Sequence, residues 1–271
     1  MRITVLGSGT SHGIPVVGCS CPVCSSSDPR DKRMRTSVYV EGPDGETALI
    51  DVGPEFRLQA VQAGIRSLDA IFLTHAHADH THGLDDVRPL CRDRAIPVYG
   101  NEKTIAEMKE RFSYIWKETQ LGGGKPRLTP IVAEPSVPVK IGGLKFTAAP
   151  VKHGILDIFG WEVENAGKSF LYLTDVSAIP PPVRERLNSG VSRQRVIVIG
   201  GLRMRPHETH FNFEQALNAA IGIGANEVYL THICHEHFHE DIESFCRNFR
   251  ENHKLEYIKI HPVQDGLEIN L

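Results

Sequence analysis

The sequence predicts an α/β chain (α+β by some schemes) in which two sheets lie face to face with helices outside. Three observations carry that expectation. Short apolar, strand-like segments recur and end on a His or an Asp: Ala48–Asp51, Ile71–His75, Ala149–His153, Phe170–Asp175 and Val228–His232. Helical patterns separate groups of strands, giving strands, helix, strand, helix, then strands and helices again. No linker, low-complexity tract or internal repeat divides the 271 residues, which read as one domain over 1–271.

The elements follow in order. Strands are expected at Arg2–Ser8, Ser37–Glu41 and Ala48–Asp51. The helix Pro54–Ala63 opens on a Pro, whose missing N–H the first turn does not need, and stops at Gly64. After the strand Ile71–His75, Asn101 offers a cap to a helix reaching Phe112, with Ile105, Met108 and Phe112 recurring on one face. Strands at Val137–Ile141, Leu144–Ala149, Phe159–Glu164, Phe170–Asp175 and Arg195–Ile199 precede a helix at Phe211–Ile221. The strand Val228–His232 and the helix Glu240–Asn252 close the pattern. In open α/β folds ligands bind outside the carboxyl ends of strands, so five polar strand ends can converge on one site. The plain alternative is that each bonds to its own loop.

One segment is ambiguous. Between Gly100 and Pro135 lie Phe112, Tyr114, Trp116 and the run Gly122-Gly123-Gly124-Lys125-Pro126-Arg127. Aromatics at that spacing suit helix core, whereas the glycine run resembles a mobile lid, so a lid insertion near 101–135 is one expectation.

Composition narrows the function. Hydrophobic residues at 41% and charged residues at 23% are the balance of a soluble globular chain. Lys+Arg at 30 against Asp+Glu at 33 disfavours a general nucleic-acid binder, which needs a basic excess. No apolar run approaches the ~18 residues of a membrane span. Ile3–Leu6 is too short for a signal peptide. A cytoplasmic protein without a membrane partner is expected, and its 14 histidines are the feature to explain.

His75-Ala76-His77-Ala78-Asp79-His80 packs four potential ligands into six residues after a buried strand. On extended chain, residues i and i+2 share a face, so His75 and His77 can hold one ion. Asp79 and His80, on the turn into a helix, can hold another. Imidazoles with a carboxylate suit Zn, Mn or Fe better than Ca or Mg. His153 and His232 would complete the two sets, and Asp175, with two carboxylate oxygens, is the natural bridge. Such a pair of ions leaves room for a shared hydroxide.

Cys19-Ser20-Cys21-Pro22-Val23-Cys24 places three thiols in six residues. Disulfides are disfavoured in a cytosolic chain, and three thiolates with one more ligand close a tetrahedral structural Zn site. His235 is the expected fourth ligand, with Cys234 and His237 as rivals. Three reduced cysteines without a metal are the bland alternative. Cys91 and Cys246 read as free cysteines on helical segments.

These residues resemble the metallo-β-lactamase superfamily, whose signature has the form His-x-His-x-Asp-His. Asp51, His153, Asp175 and His232 fall in that family's order. The resemblance implies a four-layer αβ/βα sandwich with two divalent transition-metal ions. His75, His77 and His153 would hold one ion and Asp79, His80 and His232 the other, with Asp175 bridging. It also implies that Asp51 orients a loop or ligand without binding metal. His82 is read as a solvated or supporting histidine.

A narrower resemblance is to the PhnP-like phosphodiesterases, accessory enzymes of phosphonate breakdown that open a ribosyl cyclic phosphate. It rests on Gly7-Ser8-Gly9-Thr10-Ser11-His12-Gly13-Ile14-Pro15, on Cys19, Cys21 and Cys24, and on Arg33, Arg35, Thr36 and Ser37. That family carries the same three-thiol-plus-histidine Zn site. His210, in Thr209-His210-Phe211-Asn212-Phe213, matches its catalytic histidine by its place before a helix. The implied activity is hydrolysis of small cyclic or linear phosphodiesters by a metal-bridging hydroxide, with His210 and Asp79 as catalytic side chains and His210 protonating the leaving oxygen. The loop Gly7–Gly13 would offer backbone N–H groups to the anion or simply make a tight turn; Thr10, Ser11 and His12 are its candidate pocket residues. Rival readings are a transfer-RNA 3′-end endonuclease, which needs a basic arm beyond Lys125 and Arg127, a thioester or lactone hydrolase, and a non-catalytic metal-binding scaffold. The expected partner is a small-molecule phosphodiester; a homodimer is left open.

Overall fold

The computed structural model describes residues 1–118, 124–189 and 194–271. Its first sheet contains β1 (Arg2–Gly7), β2 (Ser37–Glu41), β3 (Thr47–Ile50), β4 (Ala70–Phe72), β5 (Ile96–Gly100), β6 (Leu128–Val132) and, from the far end of the chain, β14 (Glu268–Asn270), in the order β14-β1-β2-β3-β4-β5-β6. The second contains β7 (Val139–Ile141), β8 (Leu144–His153), β9 (Leu156–Asn165), β10 (Lys168–Leu173), β11 (Gln194–Gly200), β12 (Glu227–Thr231) and β13 (Lys259–Pro262), in the order β13-β12-β11-β10-β9-β8-β7. Each sheet is antiparallel on one side and parallel on the other: β3 to β6 run parallel, as do β10 to β13.

Strands covered on both faces read as continuous apolar runs, and β11 is the clearest case. Val196 and Val198 point inward to a core shared with Val5, Val38, Ile50 and Phe72 of the opposite sheet. Ile197 and Ile199 point outward, against Phe213, Leu217 and Ile242. Those last residues belong to α5 (Phe213–Ile221) and α6 (His239–Asn252), which cover the second sheet with α4 (Pro181–Ser189). On the far side, Leu49 and Ile71 pack under Phe56 of α1 (Phe56–Gln62) and Met108 of α3 (Glu102–Arg111). The layers are therefore helix, sheet, sheet, helix, as expected. Phe72 and Phe146 stack across the middle with ring centroids 3.9 Å apart.

Several details depart from expectation. The α5 helix begins at Phe213 and not Phe211, because Asn212 accepts from the Gln215 N–H while the Gln215 side chain bonds back to the Asn212 N–H. Four strands, β5, β6, β13 and β14, and the helix α4 had not been expected. Of the aromatic segment, Phe112 packs in the core and Trp116 against it, whereas Tyr114 is exposed. Phe112 and Ile115 are buried under the first sheet, and the Trp116 indole donates to the Leu128 carbonyl at 3.1 Å. Tyr114 donates to Asp85 at 2.7 Å. Gly122 and Gly123 of the expected lid lie outside the described residues. Among the described residues no helix is long and apolar enough to cross a membrane.

Candidate metal centre

Both sheets contribute to one site. Beyond β4, the chain Leu73-Thr74-His75 leads through His77 into the short helix α2 (Ala78–Thr81), which carries Asp79 and His80. From the second sheet come His153 at the end of β8, Asp175 after β10 and His232 after β12. Their ligand atoms form two groups, each mutually within 4.8 Å: His75, His77, His153 and Asp175, and Asp79, His80, Asp175 and His232. Asp175 belongs to both, and its oxygens divide between them. Oδ2 lies 3.9 Å from Nε2 of both His75 and His153, whereas Oδ1 lies 3.3 Å from His80 Nε2 and 3.1 Å from His232 Nε2.

Supporting bonds aim these ligands. His153 donates from Nδ1 to the Thr209 carbonyl at 2.8 Å, which leaves Nε2 facing the group. His80 bonds through Nδ1 to Asp51 Oδ2 at 2.7 Å, and Asp51 also accepts the Thr74 N–H and hydroxyl at 2.8 Å each. Asp51 thus stands behind the ligands, in neither group. Asp51, Asp175 and His232 all hold left-handed backbone, with φ of 62°, 56° and 58°. Such a conformation costs a non-glycine residue on the order of 1–3 kcal/mol and gathers at functional sites.

A further sequence pattern accompanies the ligands. Thr74, Thr174 and Thr231, all fully buried, each precede a ligand in the repeated pattern Leu-Thr-His or Leu-Thr-Asp. Thr174 donates to Asp175 Oδ1 at 2.7 Å. The Thr231 hydroxyl lies 3.3 Å from that of Thr36, which in turn lies 2.7 Å from the Tyr172 hydroxyl.

The donor set fits a cation pair. Among the described residues, Nε2 of His80 and both ring nitrogens of His232 are buried without a hydrogen-bond partner, an expensive state that a cation accepting one lone pair from each ring would relieve. Burial pushes His75 and His77 down, so both rings stay neutral as metal ligands must. Against their burial, His232 and His80 hold the Asp175 carboxyl down and His80 does the same for Asp79, while Asp79, Asp175 and Asp51 in turn push His80 up against its burial, toward a cationic ring whose place at this carboxylate cluster a metal cation would take. The His/Asp clusters therefore fit a dinuclear metal site. His77 is exposed and marks its open side.

His210 sits over the site, its ring centroid 4.7 Å from that of His153 and 4.9 Å from that of His232. Burial, then the neighbouring His232, pushes it down to about 3. His82 is exposed and meets Phe112 edge-on.

A second cluster forms from the thiols. Nδ1 of His235 lies 3.4 Å from Cys19 Sγ, 3.5 Å from Cys21 Sγ and 3.4 Å from Cys24 Sγ. The Cys24 N–H bonded to Cys21 pushes that thiol down to about 6, toward thiolate, whereas burial pushes the Cys24 thiol up to about 11. The rivals point elsewhere: Cys234 is buried with its N–H on the Leu202 carbonyl, and His237 packs near Phe213. The glycine loop takes the tighter of its two expected forms. The N–H groups of Ser8, Gly9, Thr10 and Gly13 already bond to Asp265, Met34, Ile233 and Thr10 respectively, so this is a tight turn and not an anion cradle at those positions. Thr10 is buried within it; Ser11 and His12 are exposed, and the His12 carbonyl accepts from Arg35.

Comparison with known proteins agrees with this geometry. Residues 46–233 match the family model described as the beta-lactamase superfamily domain, and the chain belongs to that superfamily, with the metallo-β-lactamase fold. Among solved structures, a diphosphatase of the PhnP family aligns over 100% of this chain and 97% of its own, at 38% identity and a TM-score of 0.82. An octanoyltransferase of Porphyromonas gingivalis is 37% identical over 99% of this chain but 51% of its own length. A ribonuclease Z of a Bradyrhizobium species is 28% identical over 61% of this chain and 57% of its own. The chain thus spans about half the length of the curated relatives it matches.

Proposed function

We propose that this protein is a metal-dependent phosphodiesterase acting on small cyclic or linear phosphodiesters. The division of the Asp175 oxygens between two ligand groups carries the reading, because it builds one site for two adjacent cations. His75, His77 and His153 would hold one and Asp79, His80 and His232 the other; Zn, Mn and Fe suit such donors. When bound, two such ions acidify a water and neutralise phosphoryl charge. The chain's own part is to aim the ligands through Asp51 and Thr209 and to place His210 over both groups, where its ring can donate to a phosphoryl oxygen. The likeness to a PhnP-family diphosphatase supports a phosphorus-centred substrate. Lys125 and Arg127, the two cations a basic arm for RNA would have used, reach back instead to the carbonyls of Lys117 and Arg92.

The relative named octanoyltransferase favours a second reading, hydrolysis of an acyl thioester, although that name belongs to a chain about twice as long. One screen separates the two. Protein loaded with Mn, Zn or Fe is offered a cyclic phosphodiester, a nitrophenyl diester, a lactone and a glutathione thioester. Turnover of the diesters at least tenfold above the others is the expected result. Turnover of the thioester or lactone alone would overturn the phosphodiesterase.

A further inference from the structure

The loop between β11 and α5 does two things at the centre: its Thr209 carbonyl fixes the His153 ring, and it carries His210. Backbone bonds hold the loop at its ends, from the Leu202 N–H to Phe211 and from the Phe211 N–H to Val176. Between them Met204 to Glu208 are exposed. That stretch is gripped by one carboxylate. Arg203 donates to Glu236 Oε1 at 2.9 Å, and Arg205 makes a fork onto the same group at 3.0 and 2.6 Å. Glu236 is the direct neighbour of His235, whose Nδ1 faces the three thiols.

We propose that Glu236 is a positioning residue that ties the thiol cluster to the loop of Thr209 and His210, so that the main centre's grip on its ions depends on a group touching neither ion nor substrate. A lone exposed ion pair contributes little. Here two arginines of one loop converge on one carboxylate, in the bidentate geometry that fixes direction as well as distance. The far end of the same loop holds the tautomer of His153. Loosening it lets that ring turn, and partners that orient a ligand typically affect metal affinity 10–100-fold. The inference rests on the proposed function only in taking His153 as a metal ligand.

The test reads metal retention rather than turnover, so failure of the phosphodiesterase reading would leave it interpretable. Purified wild type, Glu236→Gln and Arg205→Gln are compared for Mn²⁺ affinity by chelator competition and for zinc by elemental analysis. Both variants should bind Mn²⁺ about tenfold more weakly while retaining thiol-site zinc like wild type. Arg2→Ala, which breaks a distant surface pair with Glu41 and Glu268, should change neither. Wild-type Mn²⁺ affinity in both loop variants would overturn the proposal. So would loss of thiol zinc in parallel with Mn²⁺, because Glu236 would then be holding the thiol loop instead.

Discussion

At the residue scale, Asp175 and His210 each make a separable prediction. Asp175 touches both ligand groups, whereas the apolar strands beneath it build the core. Asp175→Ala should therefore abolish turnover and leave cooperative unfolding in place; wild-type activity in that variant would remove Asp175 from the site. For His210 the sequence suggested a proton donor to the leaving oxygen. Burial pushes the ring down to about 3, which leaves it neutral near pH 7 with an N–H to donate but no spare proton. A neutral donor helps an alkoxide and a nitrophenolate leaving group alike, so His210→Ala should slow both diesters by about 10²–10³-fold. A much larger loss on the alkyl-leaving substrate would instead restore the acid role. Away from the centre, His239 accepts from Arg33 and is pushed by burial, then by Arg33, down to about 4, below the ordinary 6.5. Between those values the unfolded chain binds a proton that the folded one refuses, so His239's contribution is full above pH 6.5 and is lost as pH falls toward 4. His239→Gln should flatten that part of the melting-temperature profile; parallel profiles for the two proteins would show that His239 does not titrate there.

At the element scale, the two halves of the ligand set come from different sheets, and what fixes the sheets fixes the centre. The Trp161 indole donates to the Leu73 carbonyl at 3.1 Å, two residues before His75, and the Phe159 N–H reaches the Thr74 carbonyl at 3.0 Å. Tyr172 adds its bond to Thr36. Tyr172→Phe should cost about 1 kcal/mol in urea unfolding, the net worth of one hydrogen bond. Trp161→Phe, which also leaves a void and an unpaired carbonyl, should cost about 2–3 kcal/mol; equal costs would deny Trp161 its bracing role. These elements also show what the sequence made legible. β2, β8, β10 and β11 are long or fully covered, and their apolar runs were plain. β6, β13 and β14 are edge strands of three to five residues, two of them containing a proline, Pro130 or Pro262. An edge tolerates proline because half its N–H groups need no partner, and a short strand leaves little periodicity to read. α4 buries only Leu187, so its pattern was equally faint. The candidate ligands were legible because all seven lie at the ends of buried strands or in one dense motif. The left-handed backbone at Asp51, Asp175 and His232 was not, since it is imposed by the surrounding packing and not by residue type.

At the scale of the whole molecule, the two clusters differ in how they face water, and that difference predicts how each would release a bound ion. The thiol cluster supplies four donors and fastens the Cys19–Cys24 loop to the turn after β12. Four protein ligands leave no coordination position open, and thiolates bind zinc tightly. The main centre has an exposed ligand in His77 and donors that suit an open, reactive site. Mild chelation should therefore strip about two ions per chain and leave about one zinc, with loss of turnover but little change in melting temperature, because the inter-sheet core does not need the stripped ions. Cys21→Ser should act in the opposite sense, lowering the melting temperature by loosening the loop. Protein purified without chelator that contains no zinc would remove the thiol site, as would a Cys21→Ser variant that melts like wild type. Release of all ions together, at one chelator concentration and with one drop in melting temperature, would instead show that the two centres form a single unit.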